Sequence, residues 1–382
     1  MKTPIYLDYA ATTPCDPIVA DALAKCLTLD GNFANPASRS HFFGWQAEAA
    51  VEKARKQVAT LLNADTREIV WTSGATEANN LAIKGSALVR GEQGKHIICS
   101  LSEHKAVIDS VSFLENQGFE VSWIKPEITG EVSVAAVEKA IRPDTILITV
   151  MHVNNETGAI SNIEDISKLA KSKNILFHVD AAQSAGKIAI DTSKILADMI
   201  SVCAHKIYGP KGIGALYVRK QSGFSLPAQI HGGGHEQGMR SGTLPTHQIV
   251  AMGAAFELAG NVMGQEFEKL LALKSLFLDK VLSHKSAFLN GCVSKSVPGI
   301  ANLTFKGVDG QVLLSALPML AISSGSACNS ATVAPSHVLT SMGVSEQEAL
   351  SALRFSFGRF TSQEEVIYAA ESLVNVLNKL AN

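Results

Sequence analysis

Two short apolar runs in the middle of the chain each end in a residue that can do chemistry. Ile175-Leu176-Phe177-His178-Val179 is closed by Asp180, and Asp198-Met199-Ile200-Ser201-Val202-Cys203 leads through Ala204-His205 to Lys206. Both runs have the length and the β-branched, apolar content of buried strands. Two strand ends that bring one carboxylate and one amine to the same sheet edge match the needs of pyridoxal phosphate (PLP). The amine of Lys206 forms the Schiff base, and Asp180 keeps the pyridine nitrogen protonated so that the ring draws electrons.

Other candidates fall just after runs of the same kind. Ile69-Val70-Trp71-Thr72-Ser73-Gly74-Ala75-Thr76 reads as strand, glycine turn and helix start. Such a turn either caps a helix through Ser73 or Thr76 or cradles a phosphate on backbone N–H groups, and beside Asp180 and Lys206 the cradle is favoured. His104 lies past another strand end, where an imidazole can stack on a pyridine ring and move protons. Asn155, in Asn154-Asn155-Glu156-Thr157-Gly158, suits a hydrogen bond to the cofactor's phenolic oxygen, and Gln183 lies three positions beyond Asp180. Either amide could equally shape a turn. The stretch from His231 to Thr243 is rich in Gly and suits an anion or a bare loop; its His231 and His235 lack the further ligands of a metal site. Arg354 interrupts an apolar run and suits a carboxylate, with a structural ion pair as the alternative. Ser323-Ser324-Gly325-Ser326-Ala327-Cys328 gives Cys328 no apolar neighbours, so an accessible, mobile loop with a reactive thiol is expected; beside a PLP site that thiol reads as a nucleophile.

These residues need a scaffold that aligns strand ends. From about residue 60 to 220, strands expected at 68–72, 96–100, 119–124, 145–151, 175–180, 198–203 and 213–218 alternate with helices at 76–90, 104–117, 133–141 and 163–173. The pattern is that of an α/β fold, with a mostly parallel seven-stranded sheet and helices on both faces. The last strand is expected to run antiparallel. Ligands of such sheets bind outside the carboxyl ends of the strands. Beyond 246 come long helices at 246–260 and 264–285, then strands near 300–305 and 320–323 and helices near 309–316, 346–353 and 363–380. This predicts a large cofactor-binding domain at 16–260 and a smaller α+β domain from 1–15 and 261–382.

The chain has 382 residues, 46% of them hydrophobic, and a net charge of −2, which gives no electrostatic case for nucleic acid or anionic lipid. No apolar run reaches the roughly 18 residues of a spanning helix, and no leader precedes Tyr6-Leu7-Asp8-Tyr9, so a cytoplasmic protein is expected. Six cysteines without Cys-x-x-Cys spacing argue against a disulfide framework or structural zinc. Cys99, ending a strand, and Cys26, in a helical stretch, read as buried small hydrophobes.

Tyr6-Leu7-Asp8-Tyr9-Ala10-Ala11-Thr12-Thr13-Pro14, Asn35-Pro36-Ala37-Ser38, Ser102-Glu103-His104-Lys105, His178-Val179-Asp180, His205-Lys206-Ile207-Tyr208-Gly209-Pro210, the Cys328 loop and Arg354-Phe355-Ser356 together resemble the cysteine desulfurases of the NifS/IscS type, within the class V aminotransferases. The resemblance covers nearly the whole chain and implies the PLP-dependent transferase fold type I. It further implies Lys206 as Schiff base, Asp180 at the pyridine nitrogen, His104 on the ring, and Asn155 with Gln183 on its oxygen side. Ala75, Thr76, Cys203 and His205 would hold the phosphate, and Thr243 that of the neighbouring subunit in a homodimer. Asn155 and Arg354 would hold the substrate carboxylate. Cys203 stands where most relatives have Ser, a better hydroxyl donor. The chain ends at Asn382, where longer relatives carry a tail that docks the iron–sulfur scaffold.

The implied reaction takes sulfur from L-cysteine, leaving alanine and a persulfide on Cys328 that serves iron–sulfur assembly and tRNA or cofactor thiolation. No intrinsic metal is implied, though Cys328 could transiently ligate a cluster shared with a scaffold. The rivals are a lyase acting on selenocysteine or cysteine sulfinate, which need the thiol less, and a cofactor-bearing partner protein without turnover.

Overall fold

The computed structural model describes residues 3–324 and 334–380. In chain order its first half runs β1 (Ile5–Tyr6), α1 (Pro17–Ala24), α2 (Phe42–Leu62), β2 (Ile69–Thr72), α3 (Ala75–Arg90), β3 (His96–Ser100), α4 (Lys105–Glu115), β4 (Glu120–Ile124), α5 (Val134–Ala140), β5 (Thr145–Thr149), α6 (Ile163–Ser172), β6 (Leu176–Asp180), β7 (Met199–Cys203) and β8 (Gly214–Val218). The remainder comprises α7 (Thr246–Val281), β9 (Ala287–Leu289), β10 (Ile300–Phe305), α8 (Gly310–Ser315), β11 (Leu320–Ala321), β12 (Ser323–Ser324), α9 (His337–Ser341), α10 (Glu346–Leu350), β13 (Ala352–Ser356) and α11 (Gln363–Leu380).

The seven-stranded sheet has the order β2-β8-β7-β6-β5-β3-β4. Only β8 runs against its neighbours β2 and β7, and the other pairings are parallel. Side chains alternate across the sheet as the period of two requires. Ile69, Trp71, Ile98, Phe177, Val179, Ile200, Val202, Ala215 and Tyr217 enter one core with α2, α6 and α7. Val70, Ile97, Cys99, Leu176, Met199, Leu216 and Val218 enter the opposite one, with α3 and α4. Burial on both faces explains why these strands read as continuous apolar runs. A further core gathers Leu7, Phe277, Leu303, Phe305, Leu353, Phe355 and Leu373 around the antiparallel sheet β12-β13-β10-β9.

Four expectations are corrected. The helices expected at 246–260 and 264–285 are one 36-residue helix, α7. Gly260 and Gly264 do not break it, because an interior glycine costs only about 1 kcal/mol while packing holds the helix on both sides of them. Ile249, Met252 and Phe256 anchor it in one core, Leu273, Phe277 and Val281 in the other. The strand expected at 320–323 is split into β11 and β12, which join different sheets. α10 stops at Leu350, because Ala352 already pairs with Thr304 in the antiparallel sheet. Cys26 is buried as expected but in the turn after α1, not in a helix. Among the described residues no helix is long and apolar enough to cross a membrane.

Candidate active site

The carboxyl ends of the central strands open onto a cleft of about 510 Å³. Its lining includes His104, Asn155, Asp180, Gln183, Cys203, His205, Lys206, Arg354 and the start of α3 at Ala75 and Thr76. Ten sequence-predicted site residues therefore share one cavity. Thr243, expected to serve a neighbouring subunit, is exposed and does not line the cleft of its own chain. Cys328 lies outside the described residues.

Asp180 ends β6 with both oxygens engaged: Asn79 Nδ2 donates to Oδ2 at 2.8 Å and the Ala182 N–H to Oδ1 at 2.9 Å. Lys206 follows β7, and its ammonium donates to the carbonyls of Ala10 and Ala11 at 2.5 and 2.6 Å. Two residues on, Tyr208 holds a left-handed backbone (φ 65°), which is strained for an aromatic residue. Its N–H donates to Thr13 Oγ1 at 2.7 Å, and the Arg359 guanidinium covers its ring at 4.0 Å, contacts that hold the Lys206 turn in place.

The N-terminus of α3 has no side-chain cap, contrary to the capping alternative for Ser73 or Thr76. The Ser73 N–H is taken by Glu77 Oε2 at 2.8 Å, and Glu77 is in turn gripped by Arg240 at 2.8 Å. The first amides of the helix lack intrahelical acceptors and face the cleft at its positive end. His104 is the N-cap of α4, its Nδ1 accepting the Ala106 N–H at 3.1 Å. That bond leaves the proton of a neutral imidazole on Nε2. Burial lowers the His104 pKa, Lys206 adding to the effect and Asp180 opposing it, so the ring is neutral near pH 7. Burial, reinforced by Lys206, brings His205 down to about 4, and burial lifts the Cys203 thiol to about 11. Cys203 is thus a weak neutral donor.

Arg354, on β13, donates from Nη2 to Asp8 Oδ1 at 2.7 Å and from Nη1 to the Asn155 carbonyl at 2.9 Å. The ion pair offered as the alternative is present, yet among the described residues the buried Nε has no partner, and neither has Asn155 Oδ1. Unmatched buried donors and acceptors beside a cavity suit a ligand.

The aminotransferase class-V family model matches residues 5–368. The chain belongs to the aminotransferase class-V family. Within it, the class-V chain is 56% identical over 380 residues to the cysteine desulfurase IscS of Vibrio vulnificus (strain CMCP6), covering all of this chain and 94% of that protein. The solved structure of a NifS-like protein superposes with a TM-score of 0.91 at 32% identity, covering 99% of this chain and 100% of that one. SspA in complex with cysteine gives 0.84 at 41% identity, over 94% and 99%. The class-V fold is therefore shared in full, and the family is one of PLP-dependent enzymes.

Sequence reading missed three residues of this class-V site. Asn79 holds Asp180, Asp8 holds Arg354, and Lys187 donates to Gln183 Oε1 at 2.7 Å. Asn79 and Asp8 act across more than a hundred positions of sequence, where no local pattern could flag them.

Proposed function

We propose that the protein is a PLP-dependent cysteine desulfurase acting on L-cysteine. The observation that carries the reading is the convergence of Lys206, Asp180 and His104 on one cleft in a chain more than half identical to cysteine desulfurases. The residues fit the cofactor. The uncapped start of α3, with Ala75, Thr76, Cys203 and His205 around it, suits the phosphate, with Thr243 doing so for the partner in a homodimer. The doubly hydrogen-bonded Asp180 suits the pyridine nitrogen, His104 the ring face, and Asn155 with Gln183 the phenolic oxygen. When bound, PLP supplies the electron sink that makes an amino acid's Cα–H bond acidic.

Lys206 anchors the cofactor and then takes the Cα proton. Arg354 Nε is the open buried donor for the substrate carboxylate, and Asn155 would bind it through its Nδ2 amide, because its unpartnered Oδ1 only accepts. The neutral His104 carries its proton on Nε2 and can exchange it with the substrate. The Cys328 thiolate bonds to the substrate sulfur as the C–S bond breaks. The carbon keeps the electron pair and takes up a proton, giving alanine, and the persulfide on Cys328 passes sulfur to iron–sulfur scaffolds and thiolation acceptors in the cytoplasm.

The test is Cys328→Ala in the PLP-loaded enzyme. Alanine formation from cysteine should fall to background while the visible absorbance of bound PLP is unchanged. Undiminished alanine release would reject Cys328 as the sulfur acceptor.

A further inference from the structure

Lys187 is four residues beyond Gln183, in the irregular turn after β6. Gly186 closes that turn with a left-handed backbone (φ 71°), where an added Cβ would meet Ala259 Cβ at 2.9 Å. The turn leaves Lys187 partly buried, against the other side of the Ala10–Lys206 wall from the cleft. The space it lines is small and mostly apolar, bounded by Phe267, Leu270, Ile300 and Phe357. Among the described residues no carboxylate pairs with this amine within salt-bridge distance; its hydrogen bond goes to Gln183 Oε1.

An unbroken chain of hydrogen bonds results. Lys187 Nζ donates to Gln183 Oε1 at 2.7 Å, Gln183 Nε2 donates to the Ala10 carbonyl at 2.8 Å, and Lys206 Nζ donates to that same carbonyl at 2.5 Å. The two ends of a glutamine amide are nearly the same shape, so only partners decide which end faces where. An ammonium only donates, so the atom it meets must be the oxygen. Lys206 already draws on the Ala10 carbonyl and leaves it when it reacts, whereas Lys187 takes no part in the chemistry.

We propose that Lys187 is a positioning residue for the desulfurase site: its amine fixes the Gln183 side chain so that the amide's N–H end, not its oxygen, faces Ala10 and the cleft. The second Nε2 hydrogen is then the donor that Gln183 offers a ligand. Burial depresses the Lys187 ammonium to about 7, with Lys206 adding to this; Cys203 and Glu266 oppose it, and Arg354 also faces it.

The proposal rests on the reading of the cleft as a PLP site, and the experiment separates the two. The readout is the pH midpoint of the visible absorbance band of PLP-loaded enzyme. Lys187→Met, which removes the donor, should move that midpoint upward by about tenfold in acid constant, the size of one hydrogen bond to a charged group. Lys187→Arg, which keeps a side chain that only donates, should restore the wild-type midpoint. In a Gln183→Ala background, Lys187→Met should add no shift. A wild-type midpoint in Lys187→Met overturns the proposal. So does an equal shift in the Met and Arg variants, or the full shift persisting without Gln183. A wild-type enzyme that takes up PLP without any visible band overturns the cofactor reading, and this one with it.

Discussion

Arg354 is useful to a ligand because two neighbours already hold it. Asp8 and the Asn155 carbonyl take one donor on each terminal nitrogen, which leaves the buried Nε without a partner among the described residues. A lysine has three donors on a single atom and cannot keep both contacts while offering a third direction. Arg354→Lys should therefore lower kcat/KM for cysteine by about 10- to 150-fold, equivalent to about 1.5–3 kcal/mol. Steady-state kinetics should show this mainly as a higher KM, with PLP occupancy unchanged. The charged and amide residues of the cleft were legible in sequence because each follows an apolar strand: Asp180, Lys206, His104 and Asn155 announce themselves by position. Asp8 was not legible, since its partner is 346 positions away. Lys187 was hidden differently, in a turn without periodicity where a lysine looks like surface.

Strands and most helices could be read from composition because the sheet is covered on both faces and each strand is an apolar run. The continuity of α7 could not, since Gly260 and Gly264 look like a break, and only packing at both ends overrides them. Two glycines in this helix lead to opposite expectations. At Gly253 a methyl group would lie 2.6 Å from the Ala54 Cα on α2, so Gly253→Ala forces the helices apart. Overpacking of that kind costs about 1–3 kcal/mol and outweighs the gain of about 1 kcal/mol in helix propensity. Gly264 is exposed with nothing within 4 Å, so Gly264→Ala keeps only the gain. Urea denaturation should place the Gly253→Ala midpoint below wild type and the Gly264→Ala midpoint above it.

Across the whole molecule, buried imidazoles set how stability depends on pH. His178 lies between Thr149 Oγ1 at 2.8 Å and Ser201 Oγ at 2.9 Å, and burial takes its pKa down to about 4. Burial does the same to His152, and to His205 with help from Lys206. The unfolded chain protonates these groups near pH 6.5 and the folded chain does not, so stability falls as pH drops from about 6.5 toward 4. Glu156 works in the opposite sense. Burial raises it to about 7, so its contribution is present at low pH and fades as pH rises through that value. Burial raises Glu103 as well and lowers His96, His104 and His337, so six imidazoles against two carboxyls give a net loss on acidification. His178→Gln should flatten the pH dependence of the unfolding free energy from urea denaturation between pH 6.5 and 4.5 by up to about 1.4 kcal/mol per pH unit, the contribution of one proton.

The unbroken α7 also bears on how the protein comes apart. Its first half is a wall of the core beneath the large sheet and its second half a wall of the core around β10 and β13. Melting either core would strip a shared beam from the other, so the chain is built to lose both together, as one cooperative unit rather than in stages.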